Sequence, residues 1–192
     1  ANVDWVEFDT DSIDVTISDQ VNIEGFQISS VLKGIRTVSS VEPEIDGQKV
    51  TEFGNVYAIV RDGVTTKDMV IGSTNQYVAA YQATESGIIE DKFSDSATAV
   101  NYVRTMTNNG TTSDAFTQSY YIRGYAKLAD GSYVYSKVAK YTIFNVAKIL
   151  YDDVRMSTFA GHEYLYNEIL KVVDSSYKEV DYNWSGIIVD PQ

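Results

Sequence analysis

The sequence predicts a mainly β protein: an antiparallel β-sandwich with a small helical hairpin towards its C-terminal end. Three observations predict it. Residues 119–143 set two alternating runs rich in Tyr, Val and Ile on either side of Asp130-Gly131, a dipeptide suited to the positive φ angles of a tight type I′ turn. Short runs of the same kind recur upstream, punctuated by Gly, Asn, Asp and Ser, with no amphipathic helices alternating between them. After Ile143 the apolar period changes from two residues to that of a helix.

Residues 1–11 read as an acidic segment, and residues 12–143 as the sandwich. In the latter, Ile13, Val15 and Ile17 alternate with polar residues, and Val21, Ile23, Phe26 and Ile28 continue the β character. A run from Gly34 to Val41 follows, closed by the turn-like Pro43-Glu44-Ile45-Asp46-Gly47. Residues 54–60 are a strongly apolar strand ending at Asp62-Gly63; residues 76–81 and 101–106 are two more. Asn108-Asn109-Gly110 and the Ser/Thr-rich residues after it read as a loop before the long hairpin. Residues 144–177 form the helical hairpin: Val146, Ile149, Leu150 and Val154 fall on one face, then Leu165, Ile169, Leu170 and Val173 on another. Residues 178–192 return to the composition of a strand or tail.

Composition narrows the function. A chain of 192 residues, 44% hydrophobic, can bury the core of one large domain. With 15 Lys and Arg against 27 Asp and Glu, the formal charge of −12 argues against nucleic acid and against docking on anionic membrane. Neutral or cationic ligands, a saline exterior or bound divalent cations suit such a surface. No cysteine is present, which removes disulfides, thiolate metal sites and a cysteine nucleophile. No apolar run reaches the roughly 18 residues of a membrane span. Ala1 fits a terminus left by signal cleavage, and fits equally a cut within a longer chain.

The hairpin sequence Tyr120-Tyr121-Ile122-Arg123-Gly124-Tyr125-Ala126, with Asp130-Gly131 and Tyr133-Val134-Tyr135-Ser136, resembles the last two strands of bacterial fibronectin-III-like modules. Residues 50–57, Val-Thr-Glu-Phe-Gly-Asn-Val-Tyr, look like an earlier strand of the same modules, so the resemblance spans roughly residues 24–143. Together with Leu150-Tyr151 and Gly161-His162-Glu163-Tyr164-Leu165-Tyr166, the whole chain is similar to accessory modules of large exported proteins of anaerobic Gram-positive gut and rumen bacteria. The resemblance implies an Ig/fibronectin-III-like sandwich, secreted or on the cell surface. It also implies a non-catalytic role beside polysaccharide-degrading domains. No binding motif comes with it, and the helical hairpin departs from the plain fibronectin-III pattern.

A type I′ turn at Asp130-Gly131 pairs Leu128 with Tyr133 and sorts the hairpin into two faces. Tyr120, Ile122, Gly124, Ala126, Leu128, Tyr133 and Tyr135 mix large and small residues as a packed core does. Tyr121, Arg123 and Tyr125 share the other face. There, exposed rings would stack on a pyranose while the guanidinium donates to its hydroxyls. The β-propensity of tyrosine gives the same pattern with no ligand, and a one-residue slip exchanges the faces. Tyr77 and Tyr81 extend such a platform, as does Trp184 beside Tyr182, although for Trp184 and Trp5 alike a buried anchor for a terminal segment is the better fit.

Asp9, Asp11 and Asp14 invite a calcium site, although the glycine and terminal glutamate of an EF-hand loop are missing and a solvated acidic edge explains the same charges. His162, the single histidine, has neither a nucleophile motif nor a second histidine for zinc, which favours a helix-start or interhelical hydrogen bond. No carboxylate pair, phosphate loop or dinucleotide fingerprint stands out, so no enzyme is expected. Two functions follow. One is a carbohydrate-binding module holding polysaccharide on Tyr121, Arg123, Tyr125 and Trp184, with no cofactor unless calcium. The other is a structural or assembly module, a surface spacer or filament subunit, whose N-terminal strand adds to a neighbouring subunit's sheet.

Overall fold

The computed structural model describes residues 7–9, 15–107, 110–152 and 159–180. The chain is mainly antiparallel β in two sheets, with a small C-terminal helical part, as the sequence predicts. The larger sheet runs β1 (Glu7–Asp9), β11 (Val138–Tyr141), β9 (Tyr120–Leu128), β5 (Gln48–Ile59) and β4 (Glu44–Ile45). In addition, β10 (Tyr133–Tyr135) pairs with β9, and β6 (Val78–Gln82) with β5. The smaller sheet runs β2 (Val21–Ser29), β3 (Gly34–Val41), β8 (Val100–Thr107) and β7 (Ile88–Ile89). Two compact units divide the chain: residues 1–26, 36–105 and 119–141 make the first, and residues 27–35, 106–118 and 142–192 the second.

In the first unit the sheets meet over Val21, Val41, Tyr102, Ala126, Leu128 and Val134, all buried. Each of the valines and Leu128 contributes about 1.5–3 kcal/mol through the surface it removes from water. Polar side chains also cross this core, each with a partner. Asn55 Nδ2 donates to Ser39 Oγ at 3.0 Å, Tyr57 Oη to Thr37 Oγ1 at 3.2 Å and Tyr102 Oη to the Gly54 carbonyl at 2.9 Å. Gly124 lets β9 come this close, since a Cβ there would stand 2.9 Å from Val21 Cγ1.

The tight two-residue turn exists, at another Asp-Gly pair. Asp46 and Gly47 take φ of 51° and 74° and join β4 to β5 with Ile45 opposite Gln48, as a type I′ turn requires. At Asp130-Gly131 only the glycine has positive φ, at 89°, and the loop is longer: Leu128 N–H donates to Ser132 O, and Gly131 N–H to Leu128 O. Asp130 Oδ1 takes hydrogen bonds from both the N–H and the hydroxyl of Ser132, a side-chain turn that competes with the tight one. Tyr133 therefore pairs with Lys127, not Leu128, which corrects the expected register. Along β11 the expected register returns, with Ala139 opposite Ile122, because Ser136-Lys137 forms a bulge between β10 and β11. The result moves Tyr133 and Tyr135 onto the face of Arg123 and sends Val134 into the core.

Within the second unit, α1 (Ser113–Thr117) lies where the sequence reads as a loop, and Thr112 caps it by accepting from Ala115 N–H at 3.3 Å. The two expected C-terminal helices form as α2 (Ile143–Asp152) and α3 (Phe159–Tyr164). The latter runs on through a π-helical Leu165–Leu170 to α4 (Lys171–Val173). Phe116, Val146, Tyr151, Leu165, Ile169 and Leu170 are buried there. No helix among the described residues is long and apolar enough to cross a membrane.

Candidate functional site

The face expected to hold a sugar is covered. In the first unit, residues 60–77 cross the outer side of the larger sheet and put Val64 and Met69 into a second apolar layer with Val56, Ala58, Tyr125, Tyr135 and Val138. Arg123 is 0% exposed: its Nε donates to the Ser136 carbonyl at 2.9 Å and its Nη1 to the Met69 carbonyl at 3.1 Å. The guanidinium also stands 5.3 Å from the Tyr135 ring centroid. Tyr125 is 2% exposed and its hydroxyl donates to Glu52 Oε1 at 2.9 Å; burial first, then the Glu52 contact, pushes its pKa well above the ordinary phenol value. Tyr121 is half-buried against the same layer. These three residues do come together on one face, but they bind the protein's own backbone and side chains, so the expectation of an exposed Tyr/Arg strip is corrected. Strand alternation marks that they share a face and is blind to a non-strand segment laid over it.

Among the described residues Tyr77 and Tyr81 are the tyrosines that stay open, at 43% and 38% exposure. A guanidinium already lies on each ring, Arg61 at 4.1 Å from the Tyr77 centroid and Arg104 at 4.0 Å from that of Tyr81. A pyranose stacking on that ring face must displace an arginine, so neither ring is a ready platform. Trp184 lies outside the described residues, as do Trp5, Asp11 and Asp14. Asp9 is in β1, its backbone opposite Val138, and among the described residues no group of His, Asp and Glu converges as metal ligands would. His162 is buried in the second unit. Its Nε2 lies 3.1 Å from the Tyr151 carbonyl and its ring stacks 3.9 Å from the Tyr151 ring, an interhelical contact between α3 and α2.

An open cleft of about 560 Å³ in the first unit is the site that sequence reading missed. The chain entering β2 forms one wall, held because Ser18 N–H donates to the Tyr135 carbonyl and Tyr135 N–H to the Thr16 carbonyl, both at 2.9 Å. Glu24 and Ser40 come from neighbouring strands, Glu42 from the end of β3, Ser94, Asp95 and Ser96 from a loop, and Lys137 from the bulge. Asp19, Glu24, Glu42 and Asp95 set four carboxylates against the single ammonium of Lys137. Two of the carboxylates are pinned: Ser40 Oγ donates to Glu24 Oε1 at 2.5 Å, and Thr98 Oγ1 to Glu42 Oε2 at 2.6 Å. The second oxygen of each accepts nothing from the described residues, which leaves oriented acceptors facing a polar space. Only Ile17 and Ile23 supply apolar lining, and no aromatic ring does. Such a site suits a ligand rich in hydroxyl or amino donors and repels phosphate and sulfate. Its parts are dispersed over four segments of sequence, each ordinary alone, and the spacing of the acids gives no sign of their meeting.

No family model matches the chain, and no curated protein is significantly similar to it. What defines the molecule is its class, a two-sheet antiparallel sandwich with an added helical unit and an acidic, hydroxyl-lined cleft.

Proposed function

We propose that the chain is a non-catalytic carbohydrate-binding module, working outside the cell, that takes a neutral or amino-bearing polysaccharide in the cleft of its sandwich. The observation that carries the reading is the pair of carboxylates, Glu24 and Glu42, each fixed by a neighbouring hydroxyl and each with a second oxygen that accepts nothing among the described residues. Sugar hydroxyls are donors, and a carboxylate accepts from two of them at once. A volume of about 560 Å³ falls within the range of about 300–1,000 Å³ usual for small-molecule sites. With no aromatic wall the affinity per site is weak, and useful retention comes from several modules acting on one polymer. The site is the cleft and not the Tyr121–Tyr125 face, whose guanidinium and rings are engaged internally.

Affinity electrophoresis against neutral, amino-bearing and sulfated polysaccharides tests this. Retardation by a neutral or amino-bearing polymer, lost in Glu24→Gln/Glu42→Gln and absent with sulfated polymers, is the expected result. Retardation by no polymer, or retardation untouched by the double variant, overturns the reading.

A further inference from the structure

In the first unit the larger sheet stops at β6, and the smaller sheet goes one strand further. Three contacts set the sheets against each other. Val21 of β2 lies against Gly124 of β9, and Ser39 of β3 accepts from Asn55 of β5 at 3.0 Å. The guanidinium of Arg104 in β8 stands 4.0 Å from the ring centroid of Tyr81 in β6. After β8 comes β7, which therefore faces the side beyond β6, where the larger sheet has no strand among the described residues. Ile88 of β7 pairs with Tyr102 and shares its face, the one from which Tyr102 Oη reaches the Gly54 carbonyl. Ile88 thus points to that open side, and it is 45% exposed.

The β6 edge itself is ready to pair. Its residues Val-Ala-Ala-Tyr-Gln include no charge and no proline, and Ala80, Tyr81 and Gln82 are exposed. Natural sheet edges are normally blunted by lysine, proline or a bulge, and β6 has none of these. The backbone phase is fixed by the Ala83 N–H, which donates to Phe53 O at 2.8 Å. By antiparallel alternation, Ala79 and Tyr81 bond to β5, while the N–H and C=O of Ala80 and Gln82 point away from the sheet. Tyr81 turns its ring inward, 5.8 Å from that of Tyr57. Arg104 stacks the face of its guanidinium on the Tyr81 ring, which leaves the in-plane N–H donors for an acceptor. Among the described residues no carboxylate, Glu85 beyond the end of β6 included, pairs with it. A second guanidinium, Arg61 on Tyr77, stands where the strand begins.

The geometry points to β6 as the docking edge for an extended segment of another protein, one that carries a carboxylate and an aliphatic residue two positions apart. Each requirement has its own cause. The outward N–H and C=O groups of Ala80 and Gln82 take the main chain of the added strand. Residues two apart on that strand share a face, and its inner face meets both Arg104 and Ile88. The guanidinium takes the carboxylate, and Ile88 loses its exposed surface to the aliphatic side chain. A second copy of β6 is the poorer occupant, because an antiparallel pair of these strands brings guanidiniums together and supplies no carboxylate between them. The formal charge of −12 does not bar an acidic segment, since at about 0.15 M salt charges more than about 8 Å away are largely screened and the nearby guanidiniums decide.

Fluorescence anisotropy of a labelled, end-capped peptide TVTETVT, titrated with the chain up to about 1 mM, tests this. Its valines flank the glutamate on one face, so either strand direction sets one of them towards Ile88. The expected result is saturable binding of TVTETVT and at least about fivefold weaker binding of TVTKTVT. Arg104→Glu reverses that preference. Ile88→Thr weakens TVTETVT about fivefold. Ala80→Pro removes an outward N–H, breaks no bond to β5 and abolishes binding, its fold being checked by circular dichroism. No binding of TVTETVT by wild type, an unchanged preference in Arg104→Glu, or a folded Ala80→Pro that binds like wild type overturns the proposal. Self-association of the peptide-free chain in ultracentrifugation, lost in Ala80→Pro, would give the edge to a second copy and overturn it equally. Arg104, Ile88 and Ala80 do not line the cleft, so polysaccharide retardation of these variants is read separately and depends on none of these outcomes.

Discussion

Replacing Arg123 by alanine separates a structural arginine from a ligand-binding one. The side chain is fully buried and its two donors hold the Ser136 carbonyl of the bulge and the Met69 carbonyl of the covering segment, with the Tyr135 ring alongside. Truncation leaves two buried carbonyls short of a donor, at about 1–3 kcal/mol each. The lost stacking on Tyr135 adds about 0.5–2 kcal/mol. Against this, the folded chain no longer carries the desolvation cost of a buried guanidinium. The net expectation is a loss of about 3–5 kcal/mol. With a urea dependence of roughly 2 kcal/mol per molar, the midpoint of unfolding drops by about 2 M. Equilibrium urea denaturation followed by circular dichroism reads this directly. Arg123→Lys loses most of the same stability, because one ammonium lacks the fork that reaches both carbonyls. A drop below about 1 kcal/mol with weakened polysaccharide retardation would refute the reasoning and restore the exposed-strip reading.

Three other expectations follow. Among the described residues Tyr141 Oη is buried with no hydrogen-bond partner, while its ring packs 4.4 Å from Phe26 and 5.4 Å from Tyr120; Tyr141→Phe leaves stability unchanged or raises it by about 1 kcal/mol, read by thermal denaturation. Gly124→Ala sets a methyl 2.9 Å from Val21 Cγ1 and 3.4 Å from Tyr102 Oη, an overpacking that costs about 1–3 kcal/mol in urea denaturation. Burial, outweighing the Tyr151 carbonyl and the Glu179 and Asp152 carboxylates, lowers the pKa of His162 below 6.5, so on acidification the unfolded chain takes the proton first. Its contribution to stability is whole above pH 6.5 and declines below it, and a pH series of melting curves for wild type and His162→Gln shows the decline flattened in the variant.

How far the fold was legible depends on how local its causes are. The strands at 34–41, 54–60 and 101–106 are β-branched and aromatic runs between turn residues; β3 and β8 contain the first and last, and β5 holds the second up to Ile59. Register was not local. Asp46-Gly47 and Asp130-Gly131 read alike, and Ser132 beside the second aspartate decides that only the first makes the tight turn. The helix α1 hid inside a Ser/Thr-rich stretch because its short span has one buried apolar residue, Phe116. At the candidate site the misreading came from tertiary cover. Nothing in Tyr121, Arg123 and Tyr125 announces Met69, which is 54 residues away from the arginine that its carbonyl receives. The cleft was invisible for the converse reason, since serines and acids in separate loops look like solvated surface until the chain brings them together.

The Asp-Gly turns also set how this protein ages. The main-chain nitrogen after an aspartate attacks the side-chain carboxyl carbon, giving a succinimide that reopens largely as isoaspartate and adds a methylene to the backbone. At Asp130-Gly131 that nitrogen has its hydrogen engaged by the Leu128 carbonyl, and the carboxylate is held by Ser132 and by Gln48. Among the described residues no hydrogen bond restrains the carboxylates of Asp46 or Asp62, both exposed and both followed by a glycine of positive φ. Chemical wear therefore begins at the turns beside β5, while the hairpin that organises the sheet stays covalently intact.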